Sequence, residues 1–213
     1  MLNPMIAEDI LLNLKENEIM ATKNTDAKES IIIFGFPGVG KSYAFDHQEE
    51  LGFELQDSDS SHFHWLYEDD DFKKPVLDEN GKKVPHPAWP ANYAQYIELT
   101  GREQEVNPDF IFVSTHEEVM EAILPLGFVS FCIYPDINMK DKFMQLYKDR
   151  GNDDRFLKLM DEKWEEFVKG TEKRAMSADK CISFPIREDG KIQNVYDLLK
   201  RKPKIPMEFF GEE

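Results

Sequence analysis

The stretch Gly35-Phe36-Pro37-Gly38-Val39-Gly40-Lys41-Ser42 decides how this chain folds, because it fits the phosphate-binding pattern G-x-x-x-x-G-K-[ST]. It follows the apolar run from Ser30 to Phe34, which predicts a buried parallel strand, and it leads into a helix predicted from Lys41 to Glu50. Glycines let the backbone of such a loop fold back, so that its N–H groups converge on phosphate oxygens beside the positive end of the helix. The sequence therefore predicts a site for a nucleoside triphosphate.

The polar residues of this octet have separate expected roles. Lys41 is expected to reach the β- and γ-phosphates of ATP, and the hydroxyl of Ser42 is expected to ligate Mg²⁺. The predicted nucleotide contacts are Gly35, Pro37, Gly38, Val39, Gly40, Lys41, Ser42 and Tyr43. The alternative is a glycine-rich turn without a ligand, which the complete octet and its strand-to-helix context make the weaker interpretation.

The length of the chain, 213 residues, predicts one α/β domain with an insertion rather than two domains. We expect an N-terminal extension over residues 1–29, a main domain over 30–205 and a tail over 206–213. Within the main domain, residues 60–108 read as an insertion after the second strand, and residues from about 148 to 156 read as a lid. Hydrophobic residues make up 41% of the chain, which is enough for a core.

The chain is strongly acidic, with a formal net charge of −16. This charge repels nucleic acids and anionic membranes, so we expect nucleotide and small-molecule partners and neither a nucleic acid polymer nor a membrane. Cys132 and Cys181 lie in apolar runs and read as free thiols of a reducing compartment. Without an apolar stretch of membrane-spanning length or a secretory pattern, the sequence predicts a cytoplasmic protein and leaves its oligomeric state open.

Polar residues follow two predicted strands at the edge where open α/β sheets bind ligands. Asp57 and Asp59 follow the second strand, where they are expected to hold Mg²⁺ together with Ser42 or to contact the substrate. His116 follows the third strand and is a candidate substrate contact. The alternative is that the two aspartates form a turn or a helix cap, and that the residues just before His116 cap the next helix.

The insertion carries three aromatic residues that are candidates for an acceptor pocket: Trp65, Trp89 and Tyr93. Their rings either stack on the base of a substrate or anchor the insertion to the rest of the domain, and the sequence gives both interpretations equal weight. Residues 78–81 predict the tip of a hairpin, and a short helix is predicted from Trp89 to about Thr100. A long irregular insertion of this kind is typical of a binding loop or lid.

A polar turn from Lys148 to Arg155 separates two predicted helices and contains Arg150 and Arg155 beside a glycine. In so acidic a chain, we expect both arginines to act with Lys41 as catalytic residues that neutralise a transferring phosphoryl group. The alternative is ordinary ion pairing with neighbouring aspartates, which contributes about 0–1 kcal/mol when exposed.

Several stretches of the chain carry a family resemblance: GFPGVGKS (35–42), DSDSS (57–61), FIFVSTH (110–116), YPD (134–136) and RGNDDRF (150–156) with Trp164. Together they resemble the nucleoside-monophosphate-kinase-like group, and within it the adenylate-kinase-like proteins of phages and large viruses. The resemblance covers most of residues 30–200. It implies a three-layer P-loop NTPase fold with a five-stranded parallel sheet, a helical lid, and ATP and Mg²⁺ as ligands.

The chain departs from standard adenylate kinases after the third strand, where Ser114-Thr115-His116 stands in place of an Asp-Gly-Phe-Pro-Arg pattern. The Asp-Ser-Asp stretch at 57–59 also resembles shikimate- and gluconate-type kinases, in which an aspartate at this place binds the substrate.

We therefore expect an ATP-dependent phosphotransferase, in first place a nucleoside or deoxynucleoside monophosphate kinase. The alternatives are a kinase of a small hydroxylated metabolite and a nucleotide-binding regulatory protein with little turnover. Few cations in the insertion are available for an acceptor phosphate: Lys73, Lys74, Lys82 and Lys83, with Arg102 near its end.

Overall fold

A computed structural model describes residues 29–69, 72–102 and 107–203 of the chain. The predicted N-terminal extension, apart from Glu29, and the predicted tail lie outside the described residues. The strands are β1 (Ile31–Gly35), β2 (Leu55–Asp57), β3 (Phe110–Ser114), β4 (Ser130–Pro135) and β5 (Cys181–Ile186). The α-helices are α1 (Lys41–Asp46), α2 (Gln48–Leu51), α3 (Ser61–His64), α4 (Ala91–Arg102), α5 (Glu117–Ile123), α6 (Lys140–Asp149), α7 (Asp154–Ser177) and α8 (Val195–Lys200).

The strands form one sheet in the order β2-β3-β1-β4-β5, and every neighbouring pair is parallel. This confirms the predicted α/β class with a five-stranded parallel sheet. At the carboxyl end of β1, Gly35 pairs with Ser114 of β3 and with Ile133 of β4. The direction of the strand order reverses at β1, and ligands of open α/β sheets bind in the crevice at such a point. The phosphate-binding octet therefore starts at the centre of the sheet.

Helices cover both faces of this sheet. The connection from β1 to β2 and the connection from β3 to β4 cross it in opposite directions, so right-handed crossovers place α1 and α5 on opposite faces. On one face α8 packs against α1, and on the other α7 packs against α5, β4 and β5. The fold thus has three layers.

The central strands form the core. The side chains of β1 from Ile31 to Phe34 are at most 5% exposed, and the runs Ile111–Val113 and Phe131–Ile133 are fully buried. Such apolar runs without alternation are typical of parallel strands that helices cover on both faces. The burial fixes the position from which the phosphate-binding loop leaves the sheet.

The helices that follow β4 brace this loop. The hydroxyl of Tyr147, a residue of α6 that is 1% exposed, donates a hydrogen bond of 2.8 Å to the carbonyl oxygen of Pro37. Gly38 has a φ of 84°, and a Cβ there would lie 2.9 Å from the Tyr147 ring. On the other side of the loop, the ring of Phe36 makes an edge contact with Trp164 of α7 at 5.6 Å between centroids. A glycine at position 38 lets the loop turn and lets α6 approach it closely.

The insertion forms a small unit beside the sheet. Isolated antiparallel bridges join Trp65 to Pro85, Tyr67 to Pro75 and Leu77 to Lys83. The turn at residues 78–82 is closed by a hydrogen bond from the Asp78 N–H to the Lys82 carbonyl oxygen, so the predicted hairpin is present as bridges rather than as regular strands. The predicted helix follows as α4.

Replacing Tyr147 with Phe removes a buried hydroxyl and leaves the Pro37 carbonyl without this donor. We expect the free energy of unfolding to fall by about 1–3 kcal/mol, because a buried polar group then lacks a partner. Urea unfolding followed by circular dichroism measures the change. The matched control is Tyr196→Phe, which deletes an exposed hydroxyl bonded to Glu50 and is expected to change stability little. Equal losses of unfolding free energy in both variants would contradict a stabilising role for the Tyr147–Pro37 hydrogen bond.

Candidate active site

The loop from Gly35 to Ser42 is held in shape from two directions. From α6, Tyr147 donates to the carbonyl oxygen of Pro37. From the start of α8, the N–H of Val195 donates to the carbonyl oxygen of Val39 at 2.9 Å. Gly40 has a φ of 87°, and a Cβ at this position would lie 3.3 Å from Asn194. The left-handed backbone at Gly38 and Gly40 is the conformation that the glycines of the octet make accessible. Contacts with α6 and α8 therefore hold the loop in shape.

Lys41 lies at the centre of the site. Its ammonium donates to the carbonyl oxygen of Gly35 at 2.6 Å. Burial lowers the pKa of Lys41 to about 8; the carboxylate of Asp57 acts against this shift, and the charge of Arg150 adds to it. The octet, the end of β2 and the turn after α6 therefore bring three charged groups close enough for the charges of Asp57 and Arg150 to act on Lys41.

Ser42 and Asp57 come together at the ends of β1 and β2. The hydroxyl of Ser42 donates a hydrogen bond to the Asp57 carboxylate. Burial raises the pKa of this carboxyl group, while Lys41 and the Ser42 hydroxyl lower it and Asp59 raises it further. A hydroxyl and a carboxylate fit the way proteins hold Mg²⁺, which takes one or two protein oxygens together with substrate phosphates. Across the described residues, no three His, Cys, Asp or Glu side chains gather as a complete metal site, so phosphate oxygens and water would have to complete the shell.

The carboxylate of Asp59 takes part in a turn and also faces the site. Its carboxylate accepts the N–H of Ser61 at 2.8 Å, which is the turn role that the sequence left open. It also lies 3.9 Å from the imidazole of His62, and its charge acts on both Asp57 and His116. The side chain is 62% exposed, so it borders the open side of the site and retains access to a ligand.

The end of β3 adds polar groups without a carboxylate. Nδ1 of His116 lies 3.1 Å from the Ser114 hydroxyl, which in turn lies 3.4 Å from the hydroxyl of Ser60. Burial lowers the pKa of His116, and the charges of Lys41 and His64 lower it further, which favours the neutral form of the imidazole. Helix α5 starts after His116 without a side-chain cap, so the capping alternative is wrong. His116 faces the same space as Lys41.

The aromatic residues of the insertion contact one another. The His64 ring lies between two indoles, with its centroid 4.3 Å from Trp65 and 4.7 Å from Trp89. The indole N–H of Trp89 donates to Glu118 of α5 at 2.7 Å. Tyr93 is fully buried, and its hydroxyl accepts a hydrogen bond of 3.0 Å from Ser58. The stacking role given to Tyr93 is therefore corrected, because its ring has no exposed face, and the geometry favours anchoring for all three predicted aromatic residues.

Arg150 and Arg155 occupy different places around a tight turn. Arg150 follows α6 directly, Gly151 has a φ of 74°, and Asp153 caps α7 by accepting the N–H of Phe156 at 2.8 Å. Arg155 lies in the exposed first turn of α7. In the described part of the chain neither arginine forms an ion pair with a neighbouring aspartate, so the salt-bridge alternative has no support. Arg150 is the arginine whose charge acts on Lys41.

A cavity of about 420 Å³ adjoins the loop beside Gly38, and the sequence did not point to it. Phe143 and Leu146 of α6 form part of its apolar wall. At its polar end, the ammonium of Lys142 donates to the side-chain oxygen of Gln193 at 3.1 Å, and the amide of Gln193 donates to two carbonyl oxygens of the 187–190 turn at 2.7 Å. The sequence around Gln193 is an ordinary polar segment and carries no motif. The one feature that could have indicated a role for Gln193 is its position after the carboxyl end of β5.

Comparisons with known proteins add no family assignment. The chain matches no protein-family description and no curated protein sequence. Among the described helices, none is both long enough and apolar enough to cross a membrane. Any function for this chain therefore rests on its own residues and their arrangement.

The titration of Lys41 tests this arrangement without a ligand. We expect NMR of labelled lysine to show one ammonium titrating near pH 8. Asp57→Asn should lower this pKa further, because an attractive negative charge is lost, and Arg150→Ala should raise it, because a repulsive positive charge is lost. Arg155→Ala is the matched control and should leave the titration unchanged. A shift caused by Arg155→Ala and not by Arg150→Ala would contradict the assignment of Arg150 to the site.

Proposed function

We propose that this chain is a phosphotransferase that uses Mg·ATP and acts in the cytoplasm. The observation that carries the proposal is the convergence of Lys41, Ser42 and Asp57 with Arg150 at the carboxyl end of the central strand. Burial and the charge of Arg150 lower the pKa of Lys41, and the negative charge of a triphosphate would stabilise its protonated form. The complete phosphate-binding octet and its strand-to-helix setting support the same ligand.

Each group has a task in the transfer. The loop backbone and Lys41 hold the β- and γ-phosphates, and Ser42 with Asp57 holds the metal ion. Bound Mg²⁺ neutralises charge on the phosphates. Arg150, directly after α6, spreads the charge of the transferring group. Arg155 lies in the first turn of α7, on the other side of the turn at Gly151. Catalysis of this kind depends mainly on positioning and electrostatics, and the braced loop supplies the positioning.

The cavity beside Gly38 supports the proposal as a pocket for the nucleotide base. It lies between the loop, α6 and the segment after β5, and its wall combines apolar side chains with the Lys142–Gln193 pair. Ligand sites of this kind are mostly apolar with a few placed polar groups. A base in this cavity would leave its phosphates at the loop.

The acceptor is the part of the proposal with two candidates. A nucleoside or deoxynucleoside monophosphate follows from the family resemblance. A small hydroxylated metabolite is favoured by the Asp57–Asp59 pair at the end of β2 and by the imidazole of His116, whose pKa burial lowers. The alternative to a phosphotransferase is a nucleotide-dependent regulatory protein, which would bind ATP with little turnover.

Lys41→Ala should abolish detectable ATP binding, since it removes the cation at the centre of the site. Arg150→Ala should lower turnover by about 10³-fold or more with a small change in ATP affinity, as loss of an arginine that stabilises transition-state charge does. Arg155→Ala should lower turnover less. Calorimetry measures binding, and a coupled assay of ADP release measures turnover. An unchanged rate in Arg150→Ala would contradict its role.

The acceptor panel decides between the candidates. ADP release from Mg·ATP is measured with ribo- and deoxyribonucleoside monophosphates and, separately, with shikimate, gluconate and related hydroxy acids. Stimulation by one monophosphate identifies a nucleotide acceptor, and stimulation by a hydroxy acid identifies a metabolite kinase. Tight ATP binding without stimulated turnover supports the regulatory candidate instead.

A further inference from the structure

The one arginine of the insertion is held away from the proposed acceptor site. Arg102 ends α4, and its guanidinium contacts Glu29, Glu98 and the carbonyl oxygen of Leu126. It also lies over the ring of Phe128, 3.9 Å from its centroid. The neighbouring Gly101 carbonyl accepts the N–H of Ser30, just before the start of β1. Arg102 therefore lies at the amino end of the sheet, and the phosphate-binding loop lies at the carboxyl end.

The lysines of the insertion lie on its outer surface. The side chains of Lys73, Lys74, Lys82 and Lys83 are exposed, and the ammonium of Lys83 lies over the indole of Trp65, 5.8 Å from its centroid. The undescribed residues 70–71 and 103–106 contain no lysine or arginine. Exposed ammonium groups are screened by salt, so they hold a phosphate much more weakly than a buried cation.

The groups that line the acceptor side are acidic or neutral. The charges that act most on Asp57 come from Lys41, Asp59 and Asp46, and those that act most on His116 come from Lys41, His64, Glu118 and Asp59. Among the described lysines and arginines, Lys41 is the one whose charge acts on both Asp57 and His116, and the donor triphosphate requires it. A phosphate on the acceptor carries about −1.5 to −2 charges, and beside these carboxylates it would be repelled.

Hydrogen-bonding groups suited to hydroxyls remain. Asp59 is 62% exposed at this edge, and the hydroxyls of Ser60 and Ser114 form a chain to His116. The indoles of Trp65 and Trp89 each give one face to His64, and Tyr93 is buried, so these two indole faces and the Tyr93 ring are closed to an acceptor base. The site therefore matches a small polar molecule more closely than a nucleotide.

We propose that the acceptor presents a hydroxyl group and carries no phosphate, and that Asp59 accepts the proton of this hydroxyl. The acceptor oxygen forms a bond to the γ-phosphorus of ATP while the bond from this phosphorus to the β,γ-bridging oxygen breaks. ADP leaves, the hydroxyl proton passes to the Asp59 carboxylate, and the product is a phosphate monoester. A phosphate oxygen at pH 7 needs no such base, whereas a hydroxyl does. This inference rests on the proposed phosphotransferase function.

The experiment uses the full chain with a deproteinised small-molecule fraction of bacterial extract as the acceptor source. One half is treated with immobilised alkaline phosphatase, which is then removed, and the other half is mock-treated. Mg·ATP is added afterwards, and phosphate transfer from γ-labelled ATP to new products is measured with ADP release. Matched pairs are run in parallel: adenosine with AMP, thymidine with dTMP, and gluconate with 6-phosphogluconate.

We expect the phosphatase-treated fraction to support at least as much transfer as the mock-treated one, because the acceptor has no phosphate to lose. Transfer that is lost after phosphatase treatment, or that occurs with a monophosphate and not with its unphosphorylated partner, overturns the proposal. If neither fraction supports transfer while ATP binds, the phosphotransferase function itself fails, and this inference fails with it.

Asp59→Asn tests the assigned base with whichever fraction or compound supports transfer. We expect turnover to fall by about 10²-fold or more, as loss of a general base does, with the ATP dissociation constant unchanged. Asp46→Asn is the matched control, since it removes the same charge from a residue that also acts on Asp57 but lies on α1. Equal losses of turnover in both variants would show a general charge effect and overturn the role of Asp59.

Discussion

The arrangement of the site depends on one buried ammonium group. Lys41 lies at the carboxyl end of the central strand, donates to the carbonyl oxygen of Gly35 and faces the carboxylate of Asp57. Burial and the charge of Arg150 both disfavour its protonated form, which is why its pKa falls to about 8. Groups placed against their own electrostatic preference are typical of functional sites. A polyanion bound between Lys41 and Arg150 would offset both effects and favour the protonated form of Lys41.

The fold supports this arrangement by fixing the loop from several elements at once. β1 is buried at the centre of the sheet, α6 contacts the loop through Tyr147, and α8 contacts it through Val195. Because α6 leads directly into Arg150, the contact that shapes the loop also places the arginine near Lys41. Preorganisation of this kind lets charges stabilise a transition state without a large rearrangement.

Local patterns in the sequence predicted the parts of this site that depend on local chemistry. The octet predicted the loop, and the apolar runs predicted the parallel strands. Asp57 was found because a polar residue after a strand lies at the ligand-binding edge. The pairing of Ser42 with Asp57 could be anticipated for the same reason.

Contacts between distant segments were out of reach of such patterns. Tyr147 reads as an ordinary core residue of a helix, and its bond to Pro37 joins positions 110 residues apart. Tyr93 was assigned to the pocket by residue type, while its burial depends on how α4 packs against the sheet. Gln193 and Arg102 likewise take their roles from tertiary packing, because the sequence does not show which end of the sheet each one reaches.

Binding of a non-hydrolysable ATP analogue at pH 8, in the presence of Mg²⁺, tests the central claim most directly. Calorimetry in buffers with different ionisation enthalpies measures both the affinity and the protons exchanged. Since Lys41 is about half protonated at this pH and phosphates favour its charged form, we expect uptake of about half a proton, lost in Lys41→Arg. Absence of binding, or binding without proton uptake, would contradict the account.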